Sequence, residues 1–126
     1  MRLASIDIGS NAVRLLIKNV IPFDGSVQYQ KESLIRVPLR LGREAFTDGR
    51  ISDEKHQKIL KTMEGFRLMM AVYDVENYQA CATSALRNAA NGPAIVDQIR
   101  NETGIEISII DGQEEAKVLY SMDISQ

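Results

Sequence analysis

The sequence predicts a single α/β domain, a mixed sheet with helices on its faces, and three observations point to it. The chain has 126 residues, a length that suits one domain and not comfortably two. Its composition is that of a globular protein, with 44% hydrophobic and 25% charged residues. The apolar residues begin as three strand-like runs and then alternate between helical and strand spacing, the order expected of strands layered against helices.

The first run covers residues 3–8 and ends at Gly9-Ser10-Asn11, a turn-forming cluster. A β-rich run over residues 13–20 follows, so the two read as a hairpin with a polar tip. Gly25-Ser26 supplies the next turn, and a third strand lies within residues 27–39. Residues 40–50 read as irregular, with Gly42 and Gly49 as breakers. Ser52 suits a helix N-cap, and Asp53 and Glu54 complement the dipole of the first turn. Ile59, Leu60, Met63, Phe66 and Met70 then recur at helical spacing to about Tyr73.

Residues 77–83 read as a buried strand, and Thr83-Ser84 opens a short helix to about Ala90. Gly92-Pro93 starts another helix and Gly104 stops it. Residues 106–110 form a last strand, and Asp111-Gly112 opens a final helix. A meander followed by helix, strand, helices, strand and helix fits a ribonuclease-H-like layout.

Composition excludes several classes of function. Fifteen Lys+Arg against seventeen Asp+Glu give a net charge of −2, which offers no surplus of basic residues for general nucleic-acid binding. With one Cys and one His, neither a disulfide framework nor zinc chemistry is expected. Met63, Met69, Met70 and Phe66 read as core, Cys81 as a small core residue and His56 as exposed. No apolar run is long enough for a membrane span and Asp7 interrupts any signal-like core, so a reducing cytoplasm is the expected compartment.

Three places carry candidate chemistry. The first is Ile6-Asp7-Ile8-Gly9-Ser10-Asn11. A turn of Gly, Ser and Asn can present N–H and hydroxyl donors to a phosphate, and a carboxylate beside it can hold a metal or orient a water. The same residues suit an ordinary hairpin tip, although Asp7 in an apolar strand needs a partner to offset its desolvation. The second is Ala82-Thr83-Ser84-Ala85-Leu86-Arg87-Asn88. With Ser84 as N-cap, Arg87 sits near a helix N-terminus, a position that favours a cation only if an anion is bound there. A solvent-facing or salt-bridged arginine is the alternative. The third is Asp111-Gly112-Gln113-Glu114-Glu115. Glu114 falls where a capping box would use it, so Glu115, turned about 100° away, is the better general base. Two acids on a solvated first turn would look the same.

Together these segments resemble the exopolyphosphatase/guanosine pentaphosphate phosphohydrolase (Ppx/GppA) family. The stretch from Ile6-Asp7-Ile8-Gly9-Ser10-Asn11 through Ile17 is similar to its first phosphate loop. Ala82-Thr83-Ser84-Ala85-Leu86-Arg87-Asn88-Ala89 is similar to its second signature, and Gly104 through Tyr120 to its third. The resemblance spans essentially the whole chain. It implies the ribonuclease-H-like fold of the actin/hsp70/sugar-kinase superfamily and hydrolysis of terminal phosphoanhydride bonds. Polyphosphate or guanosine pentaphosphate would be the substrate and Mg²⁺ the cofactor. It also implies roles: Glu115 as catalytic base, Gly9, Ser10, Asn11 and Arg87 as phosphate ligands, and Asp7 as the metal or water position. A homodimer is compatible with it. Arg14, Lys18, Arg36, Arg40 and Arg43 are available to make the cleft locally positive.

Two departures stand out. Ala12 occupies a place where the family usually carries a hydroxyl. The family's second phosphate loop, on the next domain, has no counterpart before Gln126. These residues are therefore expected to be one wall of an interdomain cleft, with negligible turnover alone. A phosphate- or alarmone-binding sensor without catalysis is the runner-up reading.

Overall fold

The computed structural model describes residues 1–111, and within them five strands and four helices. β1 (Arg2–Ile8) and β2 (Val13–Phe23) pair antiparallel as the predicted hairpin, joined by residues 9–12. β2 returns as β3 (Ser26–Val37) through Asp24-Gly25, both at positive φ (48 and 78°). Two left-handed residues in a two-residue loop match the twist of the flanking strands, and Asp-Gly adopts them at little cost. β4 (Asn77–Ala82) lies parallel to β1, and β5 (Ser108–Ile109) parallel to β4. The sheet order is β3-β2-β1-β4-β5, mixed as expected.

Alternation along the strands decides which side chains enter the core. Ala4, Ile6 and Ile8 of β1 and Val13, Leu15 and Ile17 of β2 join one cluster with residues of all four helices. Burying the isoleucine, valine and leucine side chains among them stabilises by about 1.5–3 kcal/mol each. Asp7 and Arg14, at the intervening positions, therefore lie on the opposite face of the sheet.

The helices are α1 (Leu41–Asp48), α2 (Asp53–Val72), α3 (Ser84–Asn88) and α4 (Gly92–Thr103). α2 starts as the sequence indicates: Ser52 Oγ accepts from the Lys55 N–H at 3.3 Å. α4 ends on Gly104 in the left-handed region.

Four expectations need correction. Residues 40–50 are not irregular, because α1 occupies most of them. Its glycines are not breakers: Gly49 is the left-handed C-cap, and a Cβ on Gly42 would lie 2.9 Å from the Ser10 Cβ. Gly42 is thus a contact point between α1 and the hairpin tip. β2 runs on to Phe23, because pairing with β3 continues past Asn19, where pairing with β1 ends. β5 is shortened to two residues. His56 is half-buried, and its Nε2 is shielded from solvent without a hydrogen-bond partner. The expected final helix, with Glu114 and Glu115, lies outside the described residues. Among the described residues, no helix is long and apolar enough to cross a membrane.

Candidate functional site

The tip joining β1 to β2 is held from three directions. Within it, the Gly9 N–H donates to the Ala12 carbonyl at 3.0 Å. From α1, the Gly42 N–H donates to the Ser10 carbonyl at 2.9 Å and the Arg40 N–H to the Asn11 carbonyl at 3.0 Å. From the start of α3, the Ser84 hydroxyl meets the Ser10 hydroxyl, Oγ to Oγ 2.8 Å. The carbonyls of Ser10, Asn11 and Ala12 are thereby spoken for. Among the described residues, the N–H groups of Ser10 and Asn11 find no carbonyl partner, which leaves two backbone donors available at the turn. Such an arrangement suits an anion.

Strand register explains what surrounds this turn. Asp7 of β1 faces Arg14 of β2, which faces Arg36 of β3. Asp7 Oδ2 accepts from Arg14 Nη2 at 2.9 Å, and the Asp7 side chain is only 14% exposed. This ion pair is the partner that an acid in an apolar strand requires. Asp7, Gly9, Ser10, Asn11, Ala12, Arg14 and Arg36 line a shallow cavity of about 280 Å³. It shares Ser10, Asn11 and Arg36 with a second cavity of about 590 Å³, lined further by Arg40, Gly42, Arg43, Phe46 and Thr47.

The structure therefore brings Asp7, Gly9, Ser10 and Asn11 into one place and adds Arg14, Arg36, Arg40 and Arg43 to it. Lys18 does not join them; it is buried beside Tyr29, its Nζ 5.8 Å from the ring centroid. Burial holds its ammonium below the ordinary lysine pKa. Arg87 is exposed on α3, and its Nη1 donates to the Ile110 carbonyl beyond β5 at 2.6 Å. The N-cap of α3 is Thr83, not Ser84. This sets Arg87 one position deeper in the helix than the sequence spacing suggested, with its N–H bonded to the Thr83 carbonyl.

One further contact escaped sequence reasoning. The Ser10–Ser84 hydroxyl pair joins residues 74 positions apart, and no local pattern signals it. Among the described residues, no group of three or more His, Cys, Asp or Glu could hold a metal ion.

Residues 30–125 match the Ppx/GppA phosphatase family. The chain belongs to the Ppx/GppA phosphatase family. Among relatives of this Ppx/GppA chain, Exopolyphosphatase 1 of Mycobacterium tuberculosis is 29% identical over 120 residues, 95% of this chain and 34% of that protein. Guanosine-5'-triphosphate,3'-diphosphate pyrophosphatase of Aliivibrio fischeri is 30% identical over 117 residues, 93% of this chain and 23% of that protein. The crystal structure of an exopolyphosphatase from Cytophaga hutchinsonii superposes with a TM-score of 0.83 at 29% identity, over 93% of this chain and 36% of that one. The chain thus spans about a third or less of the length of these relatives. The likeness establishes the ribonuclease-H-like fold of the actin/hsp70/sugar-kinase superfamily.

Proposed function

We propose that this chain is one lobe of a phosphoanhydride hydrolase that releases terminal orthophosphate from inorganic polyphosphate or guanosine pentaphosphate. The observation that supports it most is the anchored turn at Gly9, Ser10 and Asn11, with open N–H donors and arginines beside it. Phosphoryl transfer needs positioning and charge neutralisation more than covalent help from the protein. The turn would hold the terminal phosphoryl oxygens, and Arg87 would approach from α3 with the guanidinium donors that Ile110 does not use. Glu115 would take a proton from a water whose oxygen attacks the terminal phosphorus. The bond from that phosphorus to the bridging oxygen breaks, and the shortened chain leaves with the electron pair.

Asp7 fits a share in a magnesium site. Its Oδ2 is engaged by Arg14, while Oδ1 has no hydrogen bond among the described residues. Mg²⁺ is commonly held by one or two carboxylates together with substrate phosphates and water. When bound it would neutralise charge on the transferred phosphoryl group.

The fold brackets phosphates between two lobes, so turnover would require the opposite wall as well as these residues. The test is orthophosphate release, with Mg²⁺, from long-chain polyphosphate and from guanosine pentaphosphate. The full-length native protein, the 126-residue chain and Glu115→Gln would be compared. Release by the native protein, lost in both others while the Glu115→Gln protein still binds substrate, is the expected result. No release from either substrate by the folded native protein would defeat the enzyme reading. It would favour the sensor reading instead, for which the buried methyl of Ala12 in place of a hydroxyl is the supporting observation.

A further inference from the structure

The start of α1 is built against its own local preferences. Its N-cap, Arg40, is left-handed at φ 56° and ψ 51° and makes no side-chain cap, whereas an N-cap ordinarily has extended backbone and a short polar side chain. A non-glycine residue stays in that region only where its surroundings over-determine it. Here the surroundings are the turn of residues 9–12. The Arg40 N–H donates to the Asn11 carbonyl at 3.0 Å and the Gly42 N–H to the Ser10 carbonyl at 2.9 Å. Amides in the first turn of a helix have no partner within that helix, and α1 places one of them, with the amide of its cap, on the turn.

Side-chain size at residue 42 decides whether this contact can form. A Cβ on Gly42 would lie 2.9 Å from the Ser10 Cβ and 3.1 Å from Cε2 of Phe46. The Phe46 ring is exposed and can swing aside. Ser10 is fixed by its carbonyl bond and by its hydroxyl contact with Ser84, so any side chain at residue 42 would push on the turn itself.

The far end of the same segment is anchored as well. The Gly49 carbonyl accepts from the Ala90 N–H at 2.7 Å, and the Asn91 side chain bonds both the Ile51 N–H and the Ile51 carbonyl, each at 2.9 Å. Ala90 and Asn91 lie between α3 and α4. α3 carries Arg87 and reaches back to the turn through the Ser84–Ser10 contact of 2.8 Å. The contacts thus close a ring: the turn, α1, residues 49–51, residues 90–91, α3 and the turn again. Such a ring leaves the turn and α3 little freedom to move apart.

We propose that Gly42 is a positioning residue: by letting α1 seat on Ser10, it holds the turn N–H groups and Arg87 where both act on one phosphoryl group. This rests on the reading of the turn and Arg87 as phosphate ligands and goes further, because it makes their two contributions interdependent. Gly42 itself acts only through Ser10. A misplacement of about 1 Å introduced away from the reacting atoms can cost about a hundredfold in rate.

The test is a double-mutant cycle in the full-length native protein, read as equilibrium binding of inorganic phosphate. Arg87→Gln is measured in the native background, in Gly42→Ala and in Met63→Ala, with the fold of each checked by circular dichroism. Met63 is buried on α2, outside the ring, so its truncation controls for general loosening of the core. In the native and Met63→Ala backgrounds, Arg87→Gln is expected to raise the phosphate Kd about tenfold or more. In Gly42→Ala the same change is expected to raise it about threefold or less, since the guanidinium no longer shares a phosphate with the turn. An Arg87 effect of equal size in native and Gly42→Ala backgrounds, or one reduced as much by Met63→Ala, would overturn the proposal. Should Gly42→Ala not fold, Asn91→Asp tests the ring from its far end: it keeps the acceptor for the Ile51 N–H and loses the donor to the Ile51 carbonyl. A reduced Arg87 effect is again expected, and an undiminished one overturns the positioning. Native protein that binds no phosphate would overturn the phosphate turn and the positioning with it. The cycle is read without catalysis, so a native protein that binds phosphate and hydrolyses nothing defeats the hydrolase reading while these affinities still decide the positioning.

Discussion

Adding one methyl group at two glycines should move stability in opposite directions. Gly92 is the first residue of α4, where a Cβ would lie 2.0 Å from the Leu86 carbonyl oxygen and 3.0 Å from its carbon. Carbon and oxygen do not ordinarily approach closer than about 3.3 Å, so α4 would have to retreat from α3 by about 1.3 Å. The obstacle is backbone and cannot rotate away. The retreat would open the packing of Ile95 and Ile99, both at 0% exposure. Overpacking costs about 1–3 kcal/mol where side chains can adjust, and more where backbone must move. Gly92→Ala should therefore lose about 3 kcal/mol. Gly65 lies within α2, and a Cβ there meets nothing within 4 Å. Gly65→Ala should gain about 0.5–1 kcal/mol from the reduced freedom of the unfolded chain. Urea unfolding followed by circular dichroism measures both. A loss below about 1 kcal/mol for Gly92→Ala, with an unchanged m-value, would refute the reading of the α3–α4 contact. Because α3 carries Ser84 and Arg87, the same variant should also weaken phosphate binding.

Three further outcomes follow from individual contacts. Asn91→Ala removes two bonds to the buried Ile51 backbone, each 2.9 Å; stranding both groups should cost about 2–4 kcal/mol, and a urea midpoint near that of the native chain would contradict it. Ser10→Ala and Ser84→Ala should be coupled by about 0.5–1.5 kcal/mol in a double-mutant cycle, whereas additive losses would mean that the hydroxyl pair contributes nothing. Burial lowers the Lys18 pKa, so the folded state binds that proton less tightly than the unfolded chain does. Stability should rise as pH climbs from the lowered folded value toward the ordinary lysine range. Lys18→Met should flatten that rise in urea midpoints taken across alkaline pH, and parallel profiles would show that burial of the ammonium is not its cause.

The fold was largely legible because its strands and long helix advertise themselves. Ile6 and Ile8 alternate with Asp7, and Ser52 followed by Asp53 and Glu54 announces α2. α1 was hidden by Gly42 and Gly49, residues ordinarily counted against a helix. Gly42 is explained by Ser10, about thirty positions away, and local periodicity carries no trace of such a partner. The turn at Gly9, Ser10 and Asn11 was visible for its donors, but its arginines were not placed. Arg36 reaches the turn only through the pairing of three strands, and the β3 register depends on an irregularity near Ile17 and Lys18. Arg87 was recognised, while its bond to Ile110 depends on β4–β5 pairing that joins segments far apart in sequence.

The hairpin of β2 and β3 also determines where the molecule can be altered harmlessly. Its Asp24-Gly25 end is exposed, and it sits the whole length of β2, 11 residues or about 35 Å, from the turn at residues 9–12. A short epitope or a labelling cysteine placed there would extend a loop whose contacts are with its own two strands. Such a handle would allow the protein to be immobilised with its arginine-lined face toward solution, the orientation that binding measurements on polyanions require.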